Sequence, residues 1–330
     1  MTTAATGMRW RVESWDPSYG ASTDGDSTPD ARAADQVALD VERPAADWQP
    51  VDPGDAAPEW PVVRFVDGVR RVDALAWVTE PDTETASMAL CASYAAGVVR
   101  CGPDGAHLAS AEVRRGLFTT SRHATDARTA AGHYRMVRAT PRGEPMADLN
   151  AAVQRELTDV EAAVASAARE GVSGGLEDDD LLVVDGPLRG RAHLPRVLGF
   201  IKSHNRPYLP AELHRLVGTL RAGQRTPVFG LVTSWQRYTW YLKLPERTGA
   251  PWAGVVRVEC PIELPPAEAV ALADRSAQVL CRYASAEYKD SRAPQNLYPI
   301  AGLERELKHR LGEAALLYRA IRSAAQPNER

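Results

Sequence analysis

From Trp60 onward, the spacing of apolar and polar positions separates strands from helices. WPVVRFVDGVRRVDALAWV reads as two short strands, or one long bent strand, around an Asp-Gly turn. SMALCASYAAGVVRC and HLASAEVRRGLFTTS read as two more, joined through CGPDGAH, where Asp104-Gly105 is a hairpin signal. Together they predict a three-stranded antiparallel meander over roughly 61–121. MADLNAAVQRELTDVEAAVASAAREG then has helical spacing and ends on Gly171, a natural C-cap. After the acidic turn GGLEDDD, the unbroken apolar run of LLVVDGPL fits a strand buried on both faces. RVLGFIKS reads as a strand, PAELHRLVGTLRAG as a helix, and TPVFGLVTS, YTWYLKLP and GVVRVECPI as three later strands. PPAEAVALADRSAQVLCRYA is a helix opened by proline, and IAGLERELKHRLGEAALLYRAIRSA a long amphipathic helix with a possible break at Gly312. The simplest container for this order is an α/β fold, a mixed sheet with helices on both faces.

Residues 16–59 have a different texture, rich in Asp, Ala, Pro, Ser and Gly and without a sustained period. Trp10, Trp15, Trp48 and Trp60 nevertheless recur through and beside this segment. Tryptophan is costly to leave in water, so the expectation is an N-terminal arm docked at several points on the body. The organisation read from the chain is therefore an acidic, partly ordered arm over 1–59 and one domain over 60–330. Charge follows the same division. Residues 1–60 carry 12 acidic side chains against 4 arginines, leaving 35 basic and 31 acidic residues for the remainder. A mildly basic body is compatible with a polyanionic ligand without demanding one.

Composition excludes several classes. With 44% hydrophobic and 25% charged residues, the chain is neither collagen-like nor wholly disordered. It has no apolar run of about eighteen residues, so no membrane span is expected, and its start lacks the basic-then-apolar pattern of a secretory leader. Cys91, Cys101, Cys260 and Cys281 are far apart and read as small buried hydrophobes in a reducing compartment. The expected location is the cytoplasm. A P-loop and an H-E-x-x-H pair are both missing.

Two positions share a shape, an apolar strand ending in Asp-Gly: Asp67 in VVRFVDG and Asp185 in LLVVDG. Carboxylates held rigidly at the tips of adjacent strands can share a hard divalent cation. Mg²⁺ or Mn²⁺ held this way activates a water and stabilises the leaving oxygen of a phosphodiester. Either motif alone also makes an ordinary turn. Glu112, in HLASAEVRRGLF, is the third candidate, a residue of the third strand that could reach the tip of the first, or a solvated edge glutamate. Arg114 and Arg115 follow it and could meet phosphates or water. Lys202 and His204 lie in GFIKSHNRPYLP. Lys202 could hold a phosphate or a nucleophilic water, or form a structural salt bridge. Asp73 and the run Asp178-Asp179-Asp180 read as solvated charge, and Glu259 as surface.

In order, FVDG, AEVRRG, LLVVDGPL, GFIKS, YLKL, RVEC and a closing NLYPI before a helix resemble the NurA family of nucleases, over roughly 60–322. No single motif is specific; the ordered set is. The resemblance implies an RNase H-like mixed sheet flanked by helices, here with an extended N-terminal arm. It also implies a ring-shaped homodimer, and metal-dependent cleavage of DNA in end processing beside a HerA-type hexameric ATPase, with Mn²⁺ or Mg²⁺ as cofactor. Position by position it assigns catalytic and metal-binding roles to Asp67, Glu112 and Asp185, and places Lys202 near the site. It further suggests contacts to nucleic acid from Arg114, Arg115, His204 and Tyr298. The family's Tyr-Pro is present as Tyr298-Pro299, but the histidine expected on the following helix is absent. Glu304 faces similarly and is its replacement in this reading, with His309 further along.

Two functions follow. One is a deoxyribonuclease, cutting as an exonuclease, an endonuclease or both. The alternative is a catalytically silent subunit that guides DNA or docks the ATPase, which the missing histidine favours. The apolar stripe Leu303, Leu307, Leu311, Leu316 and Ala320 could pack in the core or against a twin subunit.

Overall fold

The computed structural model describes residues 36–54, 60–80, 85–169, 180–204, 207–245, 252–286, 288–290 and 292–325. The elements begin with β1 (Gln36–Ala38), β2 (Val62–Glu80), β3 (Thr85–Gly102), β4 (Gly105–Thr119), β5 (Ala127–Thr129) and β6 (Gly132–Arg138). Next come α1 (Pro145–Ala167), β7 (Asp180–Asp185), β8 (Val197–Ile201) and α2 (Ala211–Val217). The chain continues with β9 (Phe229–Val232), β10 (Gln236–Lys243), β11 (Val255–Pro261), α3 (Pro266–Tyr283), α4 (Tyr298–Arg310) and α5 (Ala314–Ala325). The chain forms two compact units, each built from two stretches of sequence. An arm unit contains Met1–Glu59 with Gly199–Tyr298, and a meander unit contains Trp60–Leu198 with Pro299–Arg330.

In the meander unit β2, β3 and β4 pair antiparallel in sequence order, as the alternation predicted. The Asp67-Gly68 turn did not form. β2 runs through it as a single 19-residue strand. β7 lies parallel to β2, in register from Val62–Asp180 to Val66–Val184, and Leu181–Val184 are fully buried, the burial expected of an unbroken apolar strand. The sequence reading missed the small β5–β6 hairpin, whose second strand pairs parallel to β4. Helices cover both faces of this sheet. A Cβ added at Gly68 would collide with Leu157 and Glu161 of α1, whereas one at Gly97 would press on Leu303 and Leu307 of α4. The long C-terminal helix is broken where Gly312 adopts φ +84°, a C-terminal stop that L-residues resist. Arg71 and Arg115 close that end, donating to the carbonyls of Gly312 and Leu311 at 2.7 and 3.1 Å. Leu303, Leu307 and Leu311 are core residues of this unit. On α5 the buried positions are Leu317 and Ile321, leaving Leu316 exposed.

Two acids read as solvated are buried here. Asp73 is the extra residue of a bulge between Val72 and Ala74, and it accepts from Ser93, Tyr134 and Arg71. Asp180 opens β7 among three arginines. Gly171, Asp178, Asp179 and the other residues of 174–179 lie outside the described residues, as do Trp10 and Trp15.

In the arm unit the strand order is β1-β9-β10-β11-β8, with each neighbouring pair antiparallel. Residues 36–54 are built into it. β1 pairs with β9, and Trp48 packs with Leu209, Phe229 and Tyr241. The Glu42 carboxylate takes two hydrogen bonds from the buried Arg225 guanidinium and one from the Val228 N–H. Glu259, read as surface, is fully buried between Arg237 and Arg257, each at 3.0 Å. Without those two cations a carboxylate could not stay charged in that core. Among the described residues no helix is long and apolar enough to cross a membrane.

Candidate metal centre

Three carboxylates converge within the meander unit. Asp67 in mid-β2, Asp185 at the end of β7 and Glu304 on α4 each offer an oxygen, and these oxygens all lie within 4.8 Å of one another. The register explains the first two. β2 and β7 run parallel and in step through Val66–Val184, so Asp67 and Asp185 are the next residue on each strand. At Asp185 the strand stops, and Gly186 at φ +104° lets the chain turn away. Glu304 arrives from the helix. α4 buries Ile300, Leu303 and Leu307 against the sheet, and Glu304 lies within this stripe as its charged member.

Asp67 and Glu304 are nearly inaccessible to solvent, and Asp185 is partly buried. Asp67 Oδ1 accepts from the N–H of Gly68 at 2.7 Å, and Glu304 Oε2 lies 3.6 Å from Lys308 Nζ one turn on. Three like charges this close repel unless a cation shares the space. The donors are all hard carboxylate oxygens, a set that suits Mg²⁺ or Mn²⁺ better than the nitrogen and sulfur sites preferred by zinc. The residues present therefore fit a divalent ion.

Glu112 does not join them, and the strand pairing gives the reason. Directly paired residues on neighbouring strands project to the same face. Asp67 pairs with Gly97 and Gly97 with Ala111, a row that faces α4. Gly68 pairs with Ala96 and Ala96 with Glu112, a row that faces α1. Glu112 is thus one residue out of phase with Asp67 and on the opposite side of the sheet. Its Oε1 accepts from Arg114 Nε at 2.7 Å, and both side chains are about two-fifths exposed. Arg115, on the other face, is spent on the end of α4.

Lys202, His204 and Tyr298 belong to the arm unit. Lys202 Nζ donates to Asn296 Oδ1 at 2.9 Å, and Asn296 in turn donates to Asp290 Oδ2 at 2.7 Å. The His204 ring lies against Tyr241 and Trp252, with Nε2 2.8 Å from the Val255 carbonyl. Loss of solvent holds its titration down to about 4, so it presents no cation to a phosphate near neutral pH. Tyr298 is partly exposed and its hydroxyl accepts from the Ala286 N–H. His309 is exposed on the last turn of α4.

The sequence reading missed one further pair of charged residues. Glu161 on α1 is buried and ion-paired with the buried Arg191 at 3.1 Å, in the loop that follows Asp185. Burial pushes its carboxyl upward; Arg191 opposes this and the charge of Asp185 adds to it. The available signal was a glutamate in phase with Leu149, Val153, Leu157 and Val164 on the buried face of α1.

Compared with solved structures, the chain is similar to the NurA nuclease from Sulfolobus solfataricus. The similarity covers 85% of this chain and 89% of that one, with a TM-score of 0.46 and 10% sequence identity. No protein-family model and no curated protein matches the sequence.

Proposed function

We propose that this chain is a metal-dependent deoxyribonuclease that hydrolyses phosphodiester bonds at the Asp67–Asp185–Glu304 centre. The observation that carries the reading is the convergence of three carboxylate oxygens, from residues as far apart as 67 and 304, to within 4.8 Å. A divalent ion held there would supply a Lewis acid for a water and for the scissile phosphate. The chain's own part is to keep the donors together against their repulsion. Paired strands fix Asp67 and Asp185, the Gly68 N–H orients the first, and the buried face of α4 aims Glu304. In this reading Glu304 takes the position where the resembling family carries a histidine, exchanging a neutral donor for an anionic one. That three-carboxylate set, even without Glu112, supports an active enzyme over the silent-subunit alternative, which has no use for it. DNA as substrate, Mn²⁺ or Mg²⁺ as the ion, a homodimeric state and a HerA-type ATPase as partner belong to the same proposal and rest on the motif order described above.

The test is incubation of the purified protein with linear single- and double-stranded DNA in Mn²⁺, Mg²⁺ or EDTA. Cleavage is expected with either ion and not with EDTA, and Asp67→Ala should abolish it while DNA binding persists. Degradation by Asp67→Ala at the parental rate would overturn the assignment.

A further inference from the structure

Gly68 follows a proposed ligand, lies in mid-strand and does not have a positive φ, so no turn explains the glycine. Packing explains it. A Cβ built there would sit 2.4 Å from Glu161 Oε1 and 2.7 Å from Leu157 Cδ1. The carboxylate of Glu161 therefore rests directly against the backbone of Gly68, the same residue whose N–H holds Asp67 Oδ1. On its other side Glu161 is bound by Arg191 Nη1 at 3.1 Å. Arg191 belongs to the loop leaving Asp185, and that loop is itself fastened. Arg191 N–H donates to the Leu188 carbonyl at 2.7 Å and Leu194 N–H to the Arg191 carbonyl at 3.1 Å, with Leu188 fully buried. One ion pair thus reaches the supports of both β2 and β7 beside their proposed ligands, from the face opposite α4.

We propose that the buried Glu161–Arg191 pair is a positioning pair that holds Asp67 and Asp185 at the separation needed to share a divalent cation. The inference rests on the reading of Asp67, Asp185 and Glu304 as a cation site. Neither partner touches the ion; the pair acts through the Gly68 backbone and the loop after Asp185. Two carboxylates that repel each other tend to spread when their supports loosen, and outer supports of metal ligands typically carry about tenfold to hundredfold in affinity.

The experiment measures Mn²⁺ binding by calorimetry and by electron paramagnetic resonance, alongside thermal melting of the metal-free proteins. The proteins are the parent, Glu161→Gln, Arg191→Met and the double variant Glu161→Gln/Arg191→Met. Removing one member of a buried pair strands the other charge, whereas removing both is far better tolerated, so the double variant is the one expected to melt near the parent. Its Mn²⁺ affinity is expected to fall about tenfold or more. A merely structural role moves the melting temperature and leaves the affinity of the folded protein alone. Gly68→Ala approaches from the other side. Its Cβ pushes on the side chains of Glu161 and Leu157, so both must shift to absorb it, and where the protein folds a similar loss of affinity is expected without any change of charge. A folded double variant, or a folded Gly68→Ala, that binds Mn²⁺ within twofold of the parent overturns the inference alone. A parent that takes up no Mn²⁺ overturns the reading of the carboxylates and the inference with it.

Discussion

Strand β7 begins at Asp180 and ends at Asp185, and its two aspartates keep different company. Asp180 is wholly buried, with Arg64 Nε at 2.7 Å, Arg196 Nη2 at 3.2 Å and the Arg169 guanidinium in contact. Burial disfavours its charge, but the hydrogen bonds from Arg64 and Arg169 outweigh that and hold the carboxyl below its ordinary value. Five residues on, Asp185 gathers with Asp67 and Glu304, oxygens within 4.8 Å. The residue type is the same and the strand is the same; the neighbours differ. An acid held by three arginines is committed to them, whereas three carboxylate oxygens gathered within 4.8 Å form a donor set that an ion can share. One end of β7 is therefore built to hold the fold, and the other carries an oxygen of the proposed cation site.

The largest test of that contrast is Asp185→Asn. If this end is the functional one, cleavage should fall on the order of 10³-fold, given the several kcal/mol a held metal ion supplies. The metal-free protein should lose far less stability than Asp180→Asn does, since the charge removed is one of three like charges within 4.8 Å. Saturating Mn²⁺, worth about 2.7 kcal/mol at a hundredfold excess over Kd, should no longer raise the melting temperature. Retained activity together with a lowered melting temperature would reverse the assignment of the two ends.

Asp180→Asn should show the opposite profile. Breaking one partner out of a buried cluster costs about 3–5 kcal/mol, readable by urea unfolding, while Mn²⁺ binding per folded molecule stays intact. The pH dependence has a definite sign. A carboxyl whose folded value lies below its ordinary 3.8 contributes stability that is present above that value and lost as pH falls through the folded one. The parent should therefore lose stability in acid below about pH 3.8 more steeply than Asp180→Asn does. The smallest effect belongs to Glu112→Gln. A half-exposed pair with Arg114 is worth about 0–1 kcal/mol, and neither cleavage nor Mn²⁺ affinity should change by more than about twofold if the opposite face of the sheet plays no part in the chemistry.

Much of the architecture was legible in the pattern of apolar positions, because burial leaves a period. The meander, the doubly buried β7, the later strands, α3 and the break at Gly312 all follow from it. The site was legible in part. Asp185 stood out because an unbroken apolar strand ending in Asp-Gly has few interpretations. Asp67 was found for an incomplete reason. The glycine after it looked like a turn and is in fact the contact surface for Glu161, a requirement set by a helix some ninety positions away. Glu112 was misplaced because alternation within one strand cannot supply its phase relative to another; only the register, with a bulge between Val98 and Val99, places it on the α1 face. Asp180 read as solvated because its arginine partners come from elsewhere in the chain; Asp73 and Glu259 each have an arginine two residues away, but an i, i+2 charge pair on a strand does not by itself say that the pair is buried.

The meander unit is closed by α4 and α5, which come from the opposite end of the sequence to β2. On a ribosome, the stretch bearing the first two carboxylates emerges long before the third exists, so a nascent or truncated chain lacking α4 holds at most two of the three. Synthesis itself thus delays assembly of the proposed cation site until α4 has emerged.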